Sequence, residues 1–157
     1  MSVENFRIGA GSLSIDGDDV GLTTEEGMVV VYEPDVHLHM SGKYGNSPVK
    51  ASLIGKKLTL EVWIAEHTMQ NILDAFAGAA GTTGRVKFGG IAGTEIVGKE
   101  LVLTPFDNTP SWTFAKAVPV SSVDTNYKVN DERIIQVTFQ ALVDTEALED
   151  ENMAFIS

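Results

Sequence analysis

The sequence predicts a mainly β fold with one short helix laid on a sheet, and three observations lead there. Apolar and polar residues alternate with period two in segment after segment. Clusters of Gly, Pro, Asn and Asp separate those segments. The period changes to a helical one only within residues 57–78. There Leu58, Leu60, Val62 and Ile64 alternate with Lys57, Thr59, Glu61 and Trp63. Then Met69, Ile72, Leu73 and Phe76 fall at i, i+3, i+4 and i+7, one apolar stripe on a helix. Glu66 and Thr68 stand where an oxygen can accept from first-turn N–H groups, and Gly78 stands where a left-handed cap costs least.

At 157 residues the chain fits a single domain with a real core, which we take as residues 1–157. No apolar run approaches the roughly 20 residues of a membrane span. The first residues, Met-Ser-Val-Glu-Asn, lack the basic and apolar stretches of a secretion signal. The absence of cysteine excludes disulfides and thiolate metal sites and suits a reducing cytoplasm. A net charge of −11 disfavours tight binding to a phosphate backbone, which needs clustered Lys and Arg.

Taken in order, residues 6–22 read as strand, turn, strand. Leu13 and Ile15 alternate with Ser12, Ser14 and Asp16, and Asp16-Gly17 is a hairpin signal. Asp16, Asp18 and Asp19 lack the oxygen ladder and distal glutamate of a calcium loop, so they read as a turn. Residues 28–32 form a continuous apolar run, and Pro34 interrupts it at an edge or bend. Beyond it Asp35, His37 and His39 share one strand face, with Val36, Leu38 and Met40 on the other. Residues 41–48 read as a loop around Tyr44, and residues 49–54 resume as a strand that Gly55 turns into the central one. The stretch is thus expected to be a β-meander with one exposed arm.

Residues 77–98 carry seven glycines and read as a loose surface segment, with a short strand at 85–88. Strands follow at 101–106 and 112–118, joined by the turn 107–110, and residues 123–130 form a polar connection. Arg133, Ile135, Val137, Phe139, Ala141 and Val143 are expected on one face of the longest strand. Its other face, with Gln136, Thr138 and Gln140, is largely uncharged and polar, as suits a border between a core and a wet channel. After the acidic stretch 146–152, residues 153–156 are expected to pack back on the body.

The most chemical-looking motif is Asp35-Val36-His37-Leu38-His39. Two histidines two apart on a strand present both rings on one face, a spacing that zinc sites use. A third ligand would be needed, and His67 is the only other histidine. The plainer reading is a polar strand face at a channel or subunit contact, with no metal site. No nucleophile elbow supports a Ser-His-Asp triad, and Gly9-Ala10-Gly11 precedes no helix of a dinucleotide fold. We therefore expect no catalytic residues and no cofactor.

Six landmarks in order carry a resemblance. They are Gly11-Ser-Leu-Ser-Ile-Asp-Gly with Val20-Gly21; Gly27-Met-Val-Val-Val-Tyr-Glu-Pro34; and Tyr44-Gly-Asn-Ser-Pro-Val49. Next come the strand from Leu58 to Glu66 with the helix start from Thr68 to Leu73, then Leu101-Val-Leu-Thr-Pro105, and last Val137-Thr-Phe-Gln-Ala-Leu-Val-Asp144. Together these resemble the major tail tube proteins of long-tailed, non-contractile bacteriophages, most weakly over residues 79–97. The resemblance implies two packed antiparallel β-sheets, a sandwich or barrel flanked by one α-helix. It also implies six copies per ring, with rings stacked into a hollow tube through which DNA passes without specific binding. Tape measure, tail terminator and baseplate proteins would be the other partners, and the phage tail, assembled in the host cytoplasm, the location.

Strand-face parity makes Glu33, Asp35, His37, Glu61, Gln136 and Gln140 candidates to face the bore, with some of them expected at subunit contacts or outside. Lys43, Tyr44 and Asn46 are candidates to reach a neighbouring ring. The arm and residues 79–97 are expected to become ordered on stacking. Rival expectations are a terminator, a baseplate ring or a type VI tube subunit, a metal-dependent enzyme using His37 and His39, and a small-molecule-binding β-barrel.

Overall fold

The computed structural model of the chain describes residues 11–21, 23–82, 84–106, 110–130, 132–149 and 151–157, with no side-chain description at 25, 26 and 82. The turn expected at 107–109 and the strand start expected at Phe6 lie outside the described residues. Within them run β1 (Gly11–Ile15), β2 (Asp18–Asp19), β3 (Thr23–Ser41), β4 (Ser47–Ile64), α1 (Met69–Ala75), β5 (Ala80–Thr82), β6 (Arg85–Lys87), β7 (Lys99–Pro105), β8 (Trp112–Pro119), β9 (Ile135–Leu142) and β10 (Ala154–Ile156).

Antiparallel pairing links the strands in the order β2-β1-β7-β8-β9-β4-β3, with β5 and β6 as a separate ribbon. Strand β8 is the hinge of this path. One of its edges holds β7; the other is shared by β10, over 112–114, and β9, over 116–119. The sheet folds there, so Leu13, Ile15 and Leu101 of one half and Leu60, Val62, Val137 and Phe139 of the other enter one buried cluster. Alternation set these faces, because period-two side chains on two facing layers interdigitate and leave water. The result is the mainly β sandwich with one helix that the sequence predicts.

Local chemistry fixes the joints. Asp16 and Gly17 have φ of 51° and 88°, the double left-handed turn that a two-residue hairpin requires. The Asp16 carboxylate accepts from the Glu100 N–H at 3.0 Å, tying this turn to the start of β7. At the entry to α1, Thr68 Oγ1 accepts from the Asn71 N–H at 3.1 Å, as the capping residue should. Asn71 Nδ2 then donates to the carbonyls of Val20 (2.9 Å) and Glu66 (2.8 Å), pinning the helix to the β2–β3 connection. Asp74 is buried, accepts from Gln70 Nε2 and pairs with Lys99 Nζ of β7.

Three expectations are corrected. Met69 is exposed and the fully buried positions of α1 are Asn71, Asp74 and Ala75, while Ile72, Leu73 and Phe76 of the expected stripe are half-buried, Ile72 and Phe76 against the core. The stripe rotates because the carbonyls of Val20 and Glu66 and the Lys99 ammonium need the helix's polar groups. Pro34 does lie on an edge strand, but neither it nor Gly55 ends one: β3 and β4 run through them as strands of 19 and 18 residues. Proline survives there because β3 ends the sheet and half the N–H groups of an edge strand bond to no neighbour. The longest strand is thus β3. β9 has 8 residues, and Arg133 and Val143 lie beyond its ends. The Arg133 guanidinium instead sits 5.3 Å from the ring centre of Tyr127.

Candidate assembly surface

Among the described residues, the β3–β4 hairpin leaves long strand edges unpaired. β9 pairs with β4 only from Thr59 to Ile64, so outward from the pair Glu33 and Lys57 the two strands bond only to each other. They project as an arm of about 25 Å, at 3.3 Å per residue. Neither outward edge of this arm meets another strand among the described residues.

A tight five-residue tip closes it. Gly42–Tyr44 makes a single 3-10 turn, and Gly45 and Asn46 follow with φ of 69° and 60°. The Gly45 N–H donates to the Gly42 carbonyl (3.3 Å) and the Asn46 N–H to that of Ser41 (2.9 Å). Asparagine and glycine are the residues that adopt this backbone most readily. Lys43, Tyr44 and Asn46 are therefore brought together at the tip, with Lys43 Nζ 5.7 Å from the Tyr44 ring centre. What the sequence shows as a loop is the turn of a long ladder.

Register gives the arm two unlike faces. Tyr32, Val36, Leu38 and Met40 stand on one, with Ala51 and Leu53 opposite them. This face continues the row of Leu58, Leu60 and Val62, which the body buries, into solvent. Leu38 is 46% exposed, Met40 59% and Leu53 56%. Where this row leaves the body, Tyr32, Lys56 and Leu58 line a cavity of about 290 Å³ with Trp112 and Met153.

The other face collects the predicted polar residues. Glu33 pairs with Lys57, Asp35 with Gly55 and His37 with Ser52. Glu61 pairs with Val29 on one side and Thr138 on the other, and Gln136 and Gln140 flank Thr138 on β9. All six candidates, Glu33, Asp35, His37, Glu61, Gln136 and Gln140, therefore share one face of one continuous sheet. The sequence leaves open which of them face a bore and which a subunit contact. Alternation within each strand was legible there; the alignment of three strands was not.

The same register brings Lys50 and Lys57 onto this face. Together with Lys116 of β8, which lies opposite Leu142 on the same face and pairs with Asp144, these lysines bring the face close to charge balance. Much of the chain's negative charge lies elsewhere, including the run Asp144, Glu146, Glu149 and Glu151. Sequence reasoning missed these lysines, although the mirrored alternation of 31–41 and 47–57 about the tip was a signal for the hairpin.

His37 and His39 adjoin edge to face, ring centres 4.7 Å apart, and His39 Nε2 lies 3.0 Å from Ser52 Oγ. His67 lies elsewhere, at the β4–α1 junction, its ring 6.4 Å from that of Tyr127. No group of three or more His, Cys, Asp or Glu side chains that could hold a metal ion forms among the described residues. The three-histidine site weighed from sequence is thus not assembled within one chain. A second cavity, about 650 Å³, lies between α1 and residues 89–97 and is lined by Phe76, Ile91, Val97, Lys99 and Phe139.

Among solved structures, the fold is similar to the tube terminating cap of the anti-feeding prophage, determined by cryo-electron microscopy. The TM-score is 0.56 at 12% sequence identity, over 100% of this chain and 99% of that one. At that identity the likeness is one of fold. No protein-family model and no curated protein matches the sequence.

Proposed function

We propose that this chain is a structural, non-catalytic subunit that joins copies of itself into rings of a phage-tail-like tube. The observation that carries the reading is the β3–β4 arm, with open edges and an apolar face held in solvent. A single molecule gains nothing from such an arm, because exposed edges and apolar rows invite association. Neighbouring copies remove both costs at once if each arm continues the sheet of the next. Repeating that contact around an axis closes a ring, much as strands close a barrel. The shared fold with a tube terminating cap supports the same reading.

In the finer form of the proposal, six copies close the ring and rings stack into the tail tube of a long-tailed phage. The polar face with Glu33, Asp35, His37, Glu61, Gln136 and Gln140 lines the bore, and Lys43, Tyr44 and Asn46 touch the adjacent ring. Glutamines and balanced charges give DNA no cationic surface to hold, so it passes without specific binding. Tape measure, terminator and baseplate proteins would contact the two ends. A second reading, a terminator ring, is favoured by the likeness to a cap along the whole chain.

Negative-stain microscopy of the concentrated protein tests both. Tubes of variable length support a tube subunit; single rings support a terminator. A monomer at every concentration overturns the whole proposal.

A further inference from the structure

We infer that His37 and His39 form a binding site on the arm for one divalent transition-metal ion of borderline softness, such as Zn2+, Ni2+ or Cu2+. The inference is independent of the assembly proposal, since both ligands belong to one strand of one chain.

Residues two apart on a strand point the same way, and here the imidazole centres lie 4.7 Å apart, with both side chains exposed. Rings this close can turn one nitrogen each toward a common point about 2 Å from both, the usual metal–imidazole distance. The contact of His39 Nε2 with Ser52 Oγ holds that ring from outside and leaves its Nδ1 free to coordinate. Asp35 stands two residues further along the same face and supplies negative charge, while Lys50, opposite His39, opposes it.

The β3–β4 register shifts between Asp35 and Val36 and again between His39 and Met40. The extra residues, Ile54 and Val49, both fall on β4, so the β3 segment between the shifts stays regular and keeps His37 and His39 on one face. Imidazole nitrogens prefer zinc, nickel and copper over magnesium or calcium, which take oxygen ligands. The third protein ligand of a built zinc centre is absent among the described residues, so water completes the shell and the ion is held weakly and exchangeably. The site binds metal and does no chemistry.

Titration calorimetry of the untagged full chain with ZnCl2 should give one ion per chain. His37→Ala and His39→Ala should each weaken it by roughly tenfold or more, at least the loss expected for an outer-shell partner. Both positions are exposed, so the far-ultraviolet circular dichroism should not change. In ring-nitrogen NMR spectra, Zn2+ should shift His37 and His39 and leave His67 in place. Undiminished binding by the double variant, a shift at His67 alone, or no heat at millimolar Zn2+ would each overturn the site.

Discussion

At the scale of single residues, two buried polar groups decide how the helix sits. Asp74 is 4% exposed, and its partner Lys99 comes from β7, 25 positions away. Lys99→Met leaves a buried carboxylate with only Gln70 as partner. Its cost should be about 3 kcal/mol, the lower end for breaking a buried pair. Adding Asp74→Leu should recover much of that loss, because an apolar pair needs no counter-charge; chemical denaturation of the three variants reads this directly. Asn71→Ala strips two carbonyls of their donor and should cost about 2 kcal/mol by the same assay. Neither partnership is visible in the sequence, where Asn71 and Asp74 look like the solvent side of the helix.

At the scale of elements, the role proposed for the arm separates stability from association. Leu60 and Leu38 belong to the same alternating hairpin, yet Leu60 is fully buried and Leu38 is half in water. Leu60→Ala should lower stability by about 3 kcal/mol through the lost transfer energy and the cavity it leaves. Leu38→Asp should leave the melting temperature of the subunit unchanged and abolish rings in negative stain. If Leu38→Asp melted the subunit instead, the arm would be part of the fold rather than a reach beyond it. Strand and helix identities were legible because periodicity is local. The continuity of β3 through Pro34 was not, because proline's cost depends on whether a neighbour needs that N–H.

At the scale of the whole molecule, charge opposes the association proposed for the arm. Copies carrying −11 repel one another, and that repulsion reaches about 30 Å at 0.01 M salt but about 8 Å at 0.15 M. Assembly should therefore strengthen as salt rises across that range, since burying apolar surface does not depend on charge screening. Sedimentation velocity at the two ionic strengths checks this. Assembly that weakens with salt would mean that ion pairs, not the apolar row, join the copies.

The sequence by itself determined which residues alternate, where the first hairpin turn and the helix N-cap fall, and that β structure dominates. These depend on neighbours within a few positions. The expected C-cap at Gly78 gave way to Phe76 in an extended conformation. Only the tertiary structure decided that six scattered polar residues share one face, that lysines temper that face, and that a core row runs on into solvent. Each of those facts depends on register between strands far apart in the chain, and a one-residue slip would reverse every face.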